Sequence, residues 1–101
     1  MNPKLPLAIA ALALVAAGPV AADEALAKGK GCMACHDVKK KMVGPAYADV
    51  AKKYKGDKGA PDVMAASILK GSAGKWGPIP MPANKVSDEE ARRLAAWIAK
   101  L

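Results

Sequence analysis

The stretch KGCMACHDVKKK, Lys30–Lys41, holds both cysteines and the only histidine of the 101-residue chain within five consecutive positions. Crowding of this kind has a short list of chemical explanations. A structural zinc site needs a fourth ligand, and the chain has no further Cys or His to complete the usual set. A thioredoxin-like redox pair needs a βαβ setting, which no part of the sequence supplies. A local disulfide in an oxidising compartment stays open as an alternative, but leaves the adjacent His36 without a role.

Cys32-Met33-Ala34-Cys35-His36 fits C-x-x-C-H, the attachment signature of c-type haem. Two thiols three positions apart can each add to one vinyl group of a porphyrin, and the imidazole of the next residue then falls beneath the iron. Cys32 and Cys35 are therefore the candidate covalent anchors and His36 the candidate ligand on one face of the iron. The other face decides between electron transfer and ligand chemistry, and five methionines compete for it. Met1 belongs to the leader described below, and Met33 is held to the histidine side by its flanking cysteines. Met42 lies only six residues past His36, a short path around a ring. Met64 sits on the apolar side of an expected helix, where packing is the usual role. Met81, in PIPMP, occupies stiff extended backbone 45 residues after His36, enough chain to reach the far face. A thioether ligand favours ferrous iron, raises the reduction potential and leaves no open position, all of which suit an electron shuttle.

Around these residues the periodicity is helical throughout. DEALAKGK reads as a short helix with an acidic start and lysines toward its end. In GPAYADVAKKY, Pro45 is expected at a first helical position, with Tyr47, Val50, Ala51 and Tyr54 at helical spacing. PDVMAASILKG repeats the design with Pro61 at the start and Gly71 past the end, and with Val63, Met64, Ile68 and Leu69 as a broad apolar face. The last helix is the best specified: Ser87 and Glu90 make a capping box, and Leu94, Trp97, Ile98 and Leu101 share a face, so that Trp97 is assigned to packing. Between the last two helices, Gly71–Val86 runs 16 residues and includes WGPIPMPAN, where three prolines within five positions exclude helix. So long a loop in a small domain is usually functional or disordered. No segment alternates as a half-buried strand does, and the fold class is all-α.

The amino-terminal residues read as an address. Lys4 supplies a positive start, LPLAIAALALVAA an apolar run and GPVAA a small-residue cleavage site before Asp23. Residues 1–22 are therefore expected to be a cleaved secretory signal peptide and 23–101 the single working domain, located in the periplasm. As a membrane span the segment is short and is interrupted by Pro6, Gly18 and Pro19, so no stable membrane insertion is expected. The remaining 79 residues are close to the size at which apolar burial alone gives marginal stability. The chain has no Phe, two Trp and two Tyr, and a bulky apolar ligand would fill the resulting gap in the core. Net charge is +7, or +6 once Lys4 is lost, which favours anionic partners. The export signal and the lack of a basic stripe interleaved with aromatics argue against nucleic acid.

With these residues in hand, the chain resembles a class I cytochrome c of the short bacterial cytochrome c-551 type. The resemblance covers essentially all of residues 23–101, and CMACH, MVGPAY and WGPIPMP carry it. It implies a fold of about four helices wrapped around one covalently bound haem c, with Cys32 and Cys35 as thioethers and His36 and Met81 as axial ligands. It also implies that the Pro45 carbonyl accepts the other imidazole N–H of His36, that the Trp76 indole binds a haem propionate, and that Asn84 approaches the Met81 sulfur. Ser67 stands near where some relatives place an arginine toward the propionates, and Ala83 replaces a second proline. The activity implied is that of a monomeric, periplasmic, monohaem electron carrier and not an enzyme. Its partners would be respiratory redox proteins such as a nitrite reductase, a terminal oxidase or a cytochrome bc complex. The alternative is a haem enzyme or gas sensor with an open distal site. Lysines 28, 30, 39 to 41, 52, 53, 55 and 58 are candidates for steering an anionic redox partner.

Overall fold

Four α-helices and one 3₁₀ turn at Cys32–Ala34 make up the computed structural model: α1 (Pro19–Gly29), α2 (Tyr47–Lys53), α3 (Ala60–Lys70) and α4 (Asp88–Ala99). The structure describes residues 19–101, with side-chain burial from residue 23 onward; apart from the backbone of 19–22, the leader expected over 1–22 lies outside the described residues. Among the described residues the only β-type pairing is a single antiparallel bridge between Ser72 and Met81, so the all-α expectation holds. No helix among them is long and apolar enough to cross a membrane.

The best-read element is also the hub. Ser87 Oγ accepts from the Glu90 backbone N–H at 3.0 Å, and Glu90 Oε1 accepts from the Ser87 N–H at 2.9 Å, closing the capping box. Behind that cap α4 buries Ala91, Leu94, Ala95, Trp97 and Ile98. It packs on α3 most extensively and then on α1 and α2. Ala27, Ala91 and Ala95 are fully buried in the same core, where residues without long side chains let helices approach closely. Arg93 adds a two-pronged bond from α4 to Asp23 of α1, at 2.9 and 3.2 Å.

Three boundaries differ from the sequence expectation. The first helix is already formed at Pro19, the first described residue, so Asp23 and Glu24 lie beyond its first turn. Pro45 is not a first helical residue: α2 starts at Tyr47, and extended Ala46 (φ −62°, ψ 141°) separates the two. The first N–H groups of α2 are taken by carbonyls upstream, Tyr47 N–H by Asp37 at 3.0 Å and Ala48 N–H by Val38 at 2.9 Å. Pro45 is thereby held outside the helix, where its carbonyl accepts from the His36 side chain. In α3, Ala60 precedes Pro61 inside the helix, and Val63 is exposed, which narrows the apolar face to Met64, Ala65 and Ile68.

Candidate functional site

A cleft of about 300 Å³ opens among α2, α3, α4 and the two long loops. Cys32, Cys35, His36 and Met81 all line it, although the last two come from segments 45 residues apart. Tyr54, Met64, Ile68, Leu94 and Ile98 give it apolar walls. The sequence therefore left a gap in its core where its ligand-type side chains gather.

The histidine side starts at Gly31, whose φ of +80° is a left-handed conformation that glycine adopts without strain. The chain then turns through Cys32–Ala34, and His36 emerges with its Nδ1 2.8 Å from the Pro45 carbonyl oxygen. A carbonyl only accepts, so Nδ1 carries the proton and Nε2 keeps its lone pair for a metal. The imidazole has two close neighbours. Tyr47 stacks on it, with centroids 4.7 Å apart and planes 19° from parallel. A Cβ at Gly44 would fall 2.5 Å from His36 Cε1, so only glycine leaves the ring its room. Trp97 meets Tyr47 edge-on at 5.4 Å, which links His36 through Tyr47 to α4. Its packing role is as expected, with the addition that its Nε1 is buried without a hydrogen-bond partner.

The two thiols differ. Cys35 is exposed, whereas Cys32 is partly buried. Burial pushes the Cys32 thiol above its ordinary value, opposed by a hydrogen bond from Tyr47. Burial likewise raises the Tyr47 phenol, with Cys32 beside it adding to the shift. Neither Tyr47 nor Gly44 was singled out for the site by sequence reasoning. The only signal for them is their place in MVGPAY, because helical spacing marks Tyr47 as a core residue and nothing more.

The methionine side is a loop tied back to α3. Ser72 and Met81 exchange both backbone hydrogen bonds, at 2.9 and 2.8 Å. Gly71, with φ +89° and ψ 172°, ends α3, and a Cβ there would meet the Met81 carbonyl oxygen at 2.7 Å. Asn84 completes the tie: its backbone N–H and its Nδ2 both donate to the Ile68 carbonyl, at 3.0 and 3.1 Å, and Nδ2 also reaches the Pro82 carbonyl at 3.4 Å. With its two amide hydrogens directed at carbonyls, Asn84 anchors the loop to α3. Trp76 lines the cleft beneath the Lys53 ammonium, 4.9 Å from the ring centroid.

These residues fit an iron porphyrin by their own chemistry. Two thiols stand at the spacing of vinyl addition, an imidazole presents an unprotonated Nε2, and a thioether shares an apolar cleft with it.

Comparison with known proteins agrees with the geometry. The family model described as cytochrome c matches residues 20–101. Cytochrome c-552 of Hydrogenobacter thermophilus is 60% identical over 85 residues, covering 84% of this chain and 87% of that protein. Cytochrome c-551 of Pseudomonas aeruginosa is 57% identical over 86 residues, covering 84% of this chain and 83% of its own. The crystal structure of wild-type Nitrosomonas europaea cytochrome c552 superposes with a TM-score of 0.75 at 49% identity, covering 77% of this chain and 98% of that one.

Proposed function

The chain belongs to the cytochrome c family, and we propose that it is a periplasmic electron carrier in which Cys32 and Cys35 hold one haem c while His36 and Met81 ligate its iron. Bound haem c supplies one-electron exchange between ferric and ferrous iron. The observation that carries the reading is the meeting of His36 and Met81 in one apolar cleft with both thiols beside them.

The chain's own residues do the rest. Pro45 fixes the imidazole tautomer and, by accepting the Nδ1 proton, makes Nε2 a stronger donor to the metal. Gly44 and Tyr47 hold the ring plane. Met64, Ile68, Leu94 and Ile98 exclude water from the cleft, which lets the oxidation state change with little reorganisation around it. With His36 and Met81 both bound to the iron, no position would be left for oxygen or peroxide, and this favours a carrier over an enzyme or gas sensor. In this reading residues 1–22 are removed on export and 23–101 work as a monomer that exchanges electrons with respiratory redox proteins. Exposed lysines, among them Lys39, Lys40 and Lys41, give such partners an electropositive face.

The visible spectrum of protein matured in a haem-attaching periplasm tests this directly. The expected result is a c-type ferrous spectrum together with the far-red ferric band of sulfur ligation, with the band lost and carbon monoxide taken up in Met81→Ala. A c-type spectrum without that band in the parent would reject Met81 and favour an open-site enzyme or sensor. No haem absorbance would overturn the reading of Cys32 to His36.

A further inference from the structure

Haem c carries two propionates, so a cleft that takes it must also accommodate two carboxylates at its edge, and an ionised carboxylate removed from bulk water needs a cation or several donors. The described residues that line the cleft include one charged side chain, Lys75. It is not free to wander: Nζ donates to Ser67 Oγ at 3.3 Å, joining the proline-rich loop to α3. Ser67 accepts in this bond and keeps its own O–H to donate, while Nζ keeps two further N–H groups. An ammonium and a hydroxyl, both with donors to spare, thus meet at one wall of the cleft. The next residue, Trp76, also lines the cleft, and the Lys53 ammonium lies 4.9 Å from its ring centroid.

We infer that Lys75, positioned by Ser67, is the carboxylate-binding cation of this chain, and that the pair holds a haem propionate in its ionised form. The inference rests on the haem reading above and adds a charge that the sequence left in doubt, because Ser67 itself is neutral. The polar and charged side chains lining the cleft include Lys75, Ser67, Tyr54, Ser72 and Asn84, with Lys53 against Trp76. None of them is acidic, so a negative group placed there has no competitor for the ammonium. A bound ionised propionate favours ferric iron, and its paired cation offsets that preference. Losing the cation should therefore lower the reduction potential at neutral pH. It should also raise the propionate's pKa, since an opposite charge within about 4–6 Å depresses a carboxyl pKa by roughly 1–3 units.

The test is the midpoint potential of the holoprotein measured across pH for the parent, Lys75→Met, Lys75→Arg and Ser67→Ala. Lys75→Met should lower the potential at neutral pH and move the pH-dependent segment of the curve up by about one unit. Lys75→Arg should restore the parent curve, and Ser67→Ala, which keeps the charge but frees it, should move in the same direction by less. Lys75 is exposed, so these variants should fold. A normal c-type spectrum with the pH-dependent segment unmoved in Lys75→Met would overturn the inference and leave the haem reading intact. A parent without covalent haem would overturn both.

Discussion

His36 and Met81 line the same cleft, yet the segments that bring them there are anchored differently. His36 is fixed through its side chain: a carbonyl on Nδ1, a stacked Tyr47 that is only 5% exposed, and a glycine pressed close to the ring. Met81 is fixed through its backbone, by the bridge to Ser72 and the close approach to Gly71, in a loop whose Ile79 is 61% exposed. The histidine is packed on the core through buried Tyr47, and the methionine sits on a strap tied to the end of α3. Local opening draws on the regions with few buried contacts. The strap should therefore release its ligand before the core releases the other.

Removing the group between these two regions is the largest perturbation. A void costs about 24 cal/mol per Å³, so leaving a 300 Å³ cleft unfilled corresponds to at most about 7 kcal/mol, because part of an open cleft takes up water. That is comparable to the whole stability of a domain of this size, about 4–12 kcal/mol. The apoprotein, made as Cys32→Ser with Cys35→Ser, should be poorly ordered. A cooperative thermal transition and a dispersed amide spectrum would show that the core does not depend on the cleft's occupant.

The two glycines put the contrast to a direct test. Gly71→Ala places a side chain in a backbone conformation that is nearly glycine-only and against a backbone oxygen, and it should cost about 3 kcal/mol. Because that oxygen is Met81's, the far-red ferric band should weaken at temperatures where the protein is still folded. Gly44→Ala meets the His36 ring with no such backbone strain, so overpacking of about 1–3 kcal/mol is its main cost. There the band should persist and melt together with the fold. Identical behaviour of the two variants would erase the distinction between core and strap.

How far the sequence revealed this arrangement depended on distance along the chain. The capping box at Ser87 is a four-residue motif and was read in full. The C-x-x-C-H run and the unusual PIPMP were legible for the same reason, and the lack of Phe pointed to the unfilled core. Pro45 was placed inside α2 because proline often opens a helix. The competing claims on that turn, Asp37 and Val38 capping α2 and His36 taking the Pro45 carbonyl, span nine or ten residues along the chain. The Ser72 to Met81 bridge joins one residue pair and so leaves no alternation to detect. The bonds from Asn84 to the Ile68 carbonyl join residues 16 apart, and no local pattern announces them.

Asn84→Ala refines the contrast on the strap side. It removes the Nδ2 bonds but keeps the backbone bond to Ile68, so a loss of about 1 kcal/mol is expected. The effect should appear as an earlier loss of the far-red band on heating, with little change in global unfolding. Equal shifts in both transitions would instead make Asn84 part of the core.

The smallest expected effect lies on the histidine side and is read through pH. Asp37 Oδ2 accepts from the N–H groups of both Lys39 and Lys40, each at 2.8 Å, and these bonds hold its carboxyl below the ordinary range. The same turn presents the Asp37 and Val38 carbonyls that cap α2 at Tyr47, so the carboxylate supports the wall behind the His36 ring. A depressed folded pKa stabilises above the unfolded value, and the contribution is lost as pH falls through the folded one. Glu90 is held low in the same sense by the Ser87 N–H. It titrates equally in parent and variant, however, and cancels in their difference. Residues 71–86 contain no Asp or Glu, so no carboxylate of the strap contributes. Asp37→Asn keeps an oxygen acceptor but not its charge. Its melting temperature should lie slightly below the parent's at neutral pH, and the gap should close as the solution is acidified through the carboxylate range. An offset that stays constant with pH would mean that the turn is held by its shape and not by the charge.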